Sequence, residues 1–244
     1  MANHTQDITQ IDISEEEKDK LVADVIRSIL FKTHQSSGCP IKRDELTHLI
    51  TKNYRQRLLP AFVINEARSK LTSIFGYEMR ELHRIRSSST KQRHSSQQSA
   101  GELKSYVVVS KLPAEIYLKY VENKENAHIT GFIFAVVSVV HLAGGKIPSE
   151  SLWYHLRRLG LDENDENHSL FGNIKHTLES LVQQRYLQKE KCDGQDSNAL
   201  IYALAERALD PSFNEKLKDY IGQLTTTLTE IFSTIEILFI LNRR

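Results

Sequence analysis

The apolar positions along the chain fall into two periods that alternate in blocks. Leu21, Val22, Val25, Ile26, Ile29 and Leu30 recur every three or four residues and form one continuous helical stripe. Ser14 followed by Glu17 is a capping-box signature, so this helix is predicted to start near residue 15. HQSSGCP (34–40) ends it. A shorter helix carries Leu46, Leu49 and Ile50, and a third, after Pro60, aligns Val63, Ala67, Leu71 and Ile74. YEMREL (77–82) and YVVVSKL (106–112) then read as strands, the second rich in β-branched residues.

The second half repeats the order. An apolar helix is predicted over roughly 128–143, and Gly144, Gly145 and Pro148 turn the chain. Leu152, Trp153, Leu156 and Leu159 mark the next helix. Leu170, Ile174, Leu178, Leu181 and Val182 mark a third. YLQKEK (186–191) and LIYALA (200–205) read as strands joined by the turn-rich CDGQDSNA (192–199), and Asp210 with Pro211 suits the start of another helix. Three helices followed by paired strands, twice over, predict a mainly α chain with small β-hairpins, built as tandem winged-helix modules. The expected organisation is a disordered 1–14, module A over 15–118, module B over 119–210, and a helical extension over 211–244.

Two segments stand outside this pattern. HRIRSSSTKQRHSSQQSAGELKS (83–105) has few apolar residues to offset its ordering entropy, and predicts a long mobile wing, basic over 84–104. LTTTLTEIFSTIEILFILNRR (224–244) keeps helical spacing at Leu224, Leu228, Ile231 and Ile235 but is apolar all round its later part, so it needs cover.

Composition narrows the function. With 32 Lys and Arg against 31 Asp and Glu, the net charge of +1 carries no global message, so any anion-binding surface must arise from local clustering. Two cysteines, Cys39 and Cys192, lie far apart, which predicts a reducing compartment and no disulfide framework. The N-terminus has no apolar core of a secretory signal, and GFIFAVVSVVHLAGG is too short to span a bilayer. An intracellular chain is expected.

Catalytic patterns are missing from the sequence. Val140 stands where a phosphate loop ending in Gly145-Lys146 needs its first glycine. No His-Glu-x-x-His, Cys-x-x-Cys or nucleophile elbow occurs, so a non-enzyme without cofactor or metal is expected. A basic set is present instead: Arg157, Arg158, Lys175, His176, Arg185, Lys189 and Lys191 all fall in module B. Each taken alone is an ordinary solvated side chain. Clustered on a helix-turn-helix, they predict phosphate binding, because Lys and Arg contacts with counterion release dominate nucleic-acid affinity. Arg84, Arg86, Lys91, Arg93 and Lys104 form an accessory arm or a merely soluble loop. The third helix of module B argues against base reading: it exposes Lys175 and His176 beside Glu179 and offers no Arg to fork onto a guanine. Binding to double-stranded DNA without sequence specificity is the expectation.

Several stretches carry a family resemblance. LVADVIRSILFKTH, PIKRDELTHLITKNY, KLTSIFGYEMREL and YVVVSKL resemble the first half of the MAGE homology domain. TGFIFAVVSVVHLAGGKIPSESLWYHLRRLGL, FGNIKHTLESLVQQRYLQKEK and LIYALAERA resemble its second half, the likeness covering roughly 20–220. Within the family the chain resembles the branch that serves as subunits of SMC five/six chromosome-maintenance complexes. That resemblance implies a RING-type ubiquitin-ligase partner on module A, a kleisin on module B, DNA binding, and a nuclear, chromosome-associated role in repair and recombination.

The implied RING surface maps to Ile26, Ile29, Leu30 and Phe31, the last three standing where the family has its paired leucines. A kleisin helix would lie around Phe132, Phe134, Val137, Leu152 and Trp153, although several of these also suit a core. Trp153 fits either role. Residues 205–208, AERA, stand where animal members carry Trp-Gly-Pro-Arg-Ala. The rival reading is a family adaptor that activates a RING ligase and does not bind DNA. A site-specific transcription factor is a more distant one.

Overall fold

The computed structural model describes residues 13–36, 38–54, 56–82, 104–121, 126–191 and 200–224. The chain divides between residues 122 and 123 into two compact units. In the first, α1 (Glu15–Gln35) opens on the expected capping box: the Ser14 hydroxyl accepts from Glu17 N, and the Glu17 carboxylate accepts from Ser14 N. β1 (Ile41–Lys42) leads directly into α2 (Arg43–Thr51). α3 (Leu59–Phe75) has a proline in its first turn and ends at Gly76, whose φ of 65° is the left-handed conformation a glycine cap supplies cheaply. β2 (Tyr77–Leu82) and β3 (Ser105–Ser110) complete an antiparallel sheet in the order β1-β3-β2, with Met79 opposite Val108.

Burial explains why these helices form where they do. Leu21, Val22, Val25, Ile26 and Ile29 of α1, Leu46 and Ile50 of α2, and Val63, Ala67 and Leu71 of α3 share one core with Met79 and Tyr106. Fully burying each Val, Leu, Ile or Met side chain among them contributes about 1.5–3 kcal/mol. The apolar stripes thus stop at the core's edge: Ile74, placed by spacing on the buried face of α3, is exposed.

The second unit is built on the same plan. After α4 (Ala114–Tyr120), α5 (Ala127–Leu142) is followed by β4 (Lys146–Pro148), α6 (Ser149–Arg158), α7 (Ile174–Gln183), β5 (Leu187–Lys191) and β6 (Leu200–Leu204). The sheet order β4-β6-β5 repeats that of the first unit. Gly144 and Gly145 both take φ of 88°, and Gly145 O accepts from Leu204 N, so the glycine pair swings the chain from α5 onto the sheet. Residues 211–224 are helical up to the end of the described residues and are called α8.

Several expectations are corrected. Each sheet has a third strand, β1 or β4, which the sequence conceals because two or three residues are too few to show alternation. The expected module boundary at 118–119 falls inside α4, a helix not foreseen. α7 starts at Ile174, leaving Leu170 exposed in a turn closed by the His168–Gly172 bridge. α8 belongs to the core of the second unit: Leu217 is fully buried, and Phe213 stacks on Phe134 at 5.2 Å. The expected wing at 84–104 lies outside the described residues up to 103, as do most of the apolar tail and residues 1–12.

Candidate nucleic-acid and partner interfaces

The surface of α6 is the simplest to build. Leu152, Trp153 and Leu156 face the core, and the helix's other side carries Tyr154, Arg157 and Arg158. These lie at i, i+3 and i+4, which puts them on one face. All three are exposed, and Tyr154 stacks edge-on against His155 at 5.5 Å. Among the described residues, no carboxylate lies within ion-pair distance of either arginine. Two adjacent, unengaged guanidiniums flanking an exposed phenol can bind phosphates and pack against a sugar edge.

The rest of the basic set is differently placed. Lys175 pairs with Glu163 at 3.1 Å, and Lys189 pairs with Glu179 across from α7. Burial lowers the Lys189 ammonium pKa, but the hydrogen bond it donates to Glu179 and the charges of Tyr202 and Glu179 outweigh it, so the net shift is upward. His176 and Lys191 are exposed. Arg185 is the clear correction. Its Nε and Nη2 donate to the two oxygens of Glu206 at 2.8 and 2.7 Å, and Glu206 is 7% exposed. This fork holds the chain together. Arg84, Arg86, Lys91 and Arg93 lie outside the described residues, and Lys104 pairs with Glu81 at 2.9 Å.

That fork accounts for AERA. Arg185 adopts φ of 63°, which costs a non-glycine residue about 1–2 kcal/mol. The bidentate pair offsets the strain, Ala205 N donates to Tyr186 O, and Arg207 N donates to Arg185 O. The Arg207 guanidinium sits 4.3 Å from the Tyr186 ring centre. Ala205 and Ala208 are buried, as a segment this closely packed requires. The charged pair Glu206-Arg207 flanked by Ala205 and Ala208 was the sequence signal for a half-buried clasp.

The expected partner surfaces are reduced. Ile29 has no exposed surface and Ile26 very little, so both serve the core of the first unit. Leu30 is partly buried, and Phe31, 60% exposed, is the one member standing clear of the fold. In the second unit Phe132, Val137, Leu152 and Trp153 are all buried in one cluster and are core residues. Phe134 is partly buried beneath Phe213 and Tyr220 of α8. Among the described residues, the large apolar side chains that the second unit exposes are Leu142, Tyr154, Leu159, Leu170, Leu209 and Leu224. Leu159 and Leu170 were missed because helical spacing assigned both inward, whereas Leu159 follows the end of α6 and Leu170 precedes the start of α7. Among the described residues no group of three or more His, Cys, Asp or Glu could hold a metal, and no helix is long and apolar enough to cross a membrane.

Each unit carries three helices and a three-stranded antiparallel sheet in winged-helix order, with one further helix after the sheet, α4 or α8, so the class is a tandem winged-helix protein. The MAGE homology domain model matches residues 25–213, and the chain belongs to that family. MAGE-like protein 2 from Homo sapiens is 27% identical over 153 residues, 61% of this chain and 10% of its own. Melanoma-associated antigen 8 from Homo sapiens is 24% identical over 204 residues, 83% of this chain and 57% of its own. Non-structural maintenance of chromosomes element 3 homolog from Mus musculus is 26% identical over 169 residues, 68% of this chain and 52% of its own. The chain thus spans about a tenth to little more than half the length of these relatives. A chain of a solved Nse1-Nse3-Nse4 complex superposes with a TM-score of 0.71 at 21% identity, covering 88% of this chain and 93% of that one, which shows a shared fold.

Proposed function

We propose that the protein is a non-catalytic architectural subunit of an SMC-type chromosome maintenance and DNA repair complex. In this reading it bridges a RING ubiquitin-ligase subunit and a kleisin, and binds double-stranded DNA without sequence specificity, in the nucleus. The observation that carries the assembly part is the likeness to the mouse element 3 homolog over 169 residues, a stretch longer than either compact unit. Phe31 and its partly buried neighbour Leu30 are the surface offered to the RING subunit. The DNA part rests on Tyr154, Arg157 and Arg158, an exposed face with unengaged positive charge.

The ion pairs of Lys175 and Lys189 favour a second reading, a RING-ligase adaptor that leaves DNA alone, because a cation already neutralised has less to gain from phosphate. One experiment separates them. The chain is co-purified with a RING partner, and its gel shift on double-stranded DNA is read at two salt concentrations, with Arg157→Glu/Arg158→Glu alongside. The architectural reading expects a shift that salt removes, that unrelated competitor DNA abolishes and that the variant loses. The adaptor reading expects no shift at low salt, and a site-specific factor one that competitor sequence governs.

A further inference from the structure

We propose that the first unit carries an anion pocket for a phosphomonoester on a slender stem, of the phosphoserine or phosphothreonine side-chain kind. The cavity measures about 200 Å³ and is lined by Arg43, Asn65, Arg68, Glu81, Lys104 and Tyr106, with Ala61 and Ile64 at its apolar wall. Nothing in the proposed DNA or RING contacts uses it.

The fold assembles these groups from separate elements. Arg43 opens α2 and is fixed by its backbone N–H donating to Lys104 O at 2.9 Å. Asn65 and Arg68 lie one turn apart on α3, while Glu81 and Tyr106 face each other across the β2–β3 pairing. Glu81 Oε1 is buried and sits 2.9 Å from Lys104 Nζ, an ion-pair contact off the axis of a good hydrogen bond. Among the described residues the guanidiniums of Arg43 and Arg68 have no ion-pair or hydrogen-bond partner. Their charges and that of Lys104 all act on Tyr106, whose hydroxyl pKa is raised mainly by burial, and Arg43 also opposes the charge on Lys104.

Like charges held this close are unfavourable unless an anion sits among them. Three cations against one carboxylate leave a net charge of +2 at the cavity, from the lining residues named. A phosphomonoester carries about −1.5 to −2 near neutral pH, whereas a nucleic-acid diester carries a single charge. Size points the same way. Ordinary small-molecule sites run from about 300 Å³, so this cavity suits one functional group and not a whole ligand. Tyr106 and Ile64, both buried, are part of its lining, which suits a group carried on a stem, as a phosphorylated side chain provides and the rigid backbone of a duplex does not. The two guanidiniums supply forked donors for the phosphate oxygens, and Asn65 and Tyr106 supply neutral ones.

The test uses the full chain and N-acetyl-O-phosphoserine methylamide as probe, followed by two-dimensional amide and arginine side-chain NMR at constant ionic strength. Saturable shifts are expected at Arg43, Asn65, Arg68 and Tyr106, with affinity at least about tenfold above that for dimethyl phosphate, since charge-assisted bonds strengthen with anion charge. Affinity should fall as pH drops through about 6, where the monoester gains its second proton. Arg43→Gln/Arg68→Gln should abolish the shifts while the remaining spectrum stays native. Glu81→Gln should bind more tightly, because it removes the only competing carboxylate of the lining. Equal binding of dimethyl phosphate would reassign the pocket to nucleic-acid backbone and overturn the proposal. Equal binding of sulfate with no pH dependence would mean an adventitious ion only. Unchanged shifts in the arginine double variant would also overturn it.

Discussion

Arg185 shows how one residue type can read two ways. Its position in a basic run suggested phosphate binding, yet its guanidinium is committed to both oxygens of the nearly buried Glu206. Removing one partner of such a pair strands the other charge, a loss of about 3 kcal/mol at the lower end for buried pairs. Arg185→Ala is therefore expected to lower the thermal midpoint of the second unit clearly. At a temperature where the variant remains folded, its DNA affinity should change far less than that of Arg157→Glu/Arg158→Glu. Denaturation monitored by circular dichroism, paired with the gel shift, checks both halves. A variant of unchanged stability and lost DNA binding would return Arg185 to the nucleic-acid surface. Trp153 teaches the complementary lesson. Periodicity placed it on the buried face of α6, but a lone tryptophan suits a core or an interface equally until its surroundings are known, and here it belongs to one buried cluster with residues of α5, α7 and the sheet.

At the scale of elements, the capping box of α1 extends into a tertiary contact. Tyr54 Oη donates to Glu17 Oε1 at 2.9 Å, tying the start of α1 to the chain beyond α2. The Tyr54 hydrogen bond first, and the Ser14 backbone N–H second, hold the Glu17 carboxyl below its ordinary value of 4.5. A carboxyl whose pKa is lower folded than unfolded contributes stability that is present in full above the unfolded value. That stability is lost as pH falls through the folded one. Tyr54→Phe is accordingly expected to leave a shallower loss of stability in the acid range below about 4.5, with its effect greatest near neutrality. Urea midpoints measured between acid and neutral pH test this; parallel curves for the two proteins would refute it. The box itself was legible, since Ser14 and Glu17 are three residues apart. Its third member was not, because Tyr54 lies 37 residues from Glu17 and its placement depends on the fold. The same rule governs the rest of the architecture. Long stripes such as that of α1 were readable, whereas β1, β4 and α4 were not, their identity being set by pairing and packing and not by any local period. α8 was foreseen as a helix but not as core, because Phe134, Phe213 and Tyr220 meet only once α5 is folded.

For the whole molecule, a formal net charge of +1 means that long-range attraction to DNA is weak, so the DNA binding proposed above would depend on local geometry. That makes the salt dependence of binding a count of contacts. Each phosphate neutralised contributes about 0.9 to the slope of log affinity against log salt. Among the described residues Arg157 and Arg158 have no ionic partner, so each phosphate contact proposed for them would displace counterions from DNA with no carboxylate to release. Lys175 and Lys189 must first give up Glu163 and Glu179, which reduces what they gain. Arg157→Gln/Arg158→Gln is thus expected to lower the slope by about 2, and Lys175→Gln/Lys189→Gln by clearly less, with the second variant losing some stability from the exposed carboxylates. Fluorescence anisotropy on a labelled duplex across a salt series, with random-sequence competitor, measures both. Equal slope changes for the two double variants would spread the DNA contact along α7 and β5. No change for the arginine pair would remove α6 from the interface altogether, leaving the DNA-free adaptor as the better description of this tandem winged-helix chain.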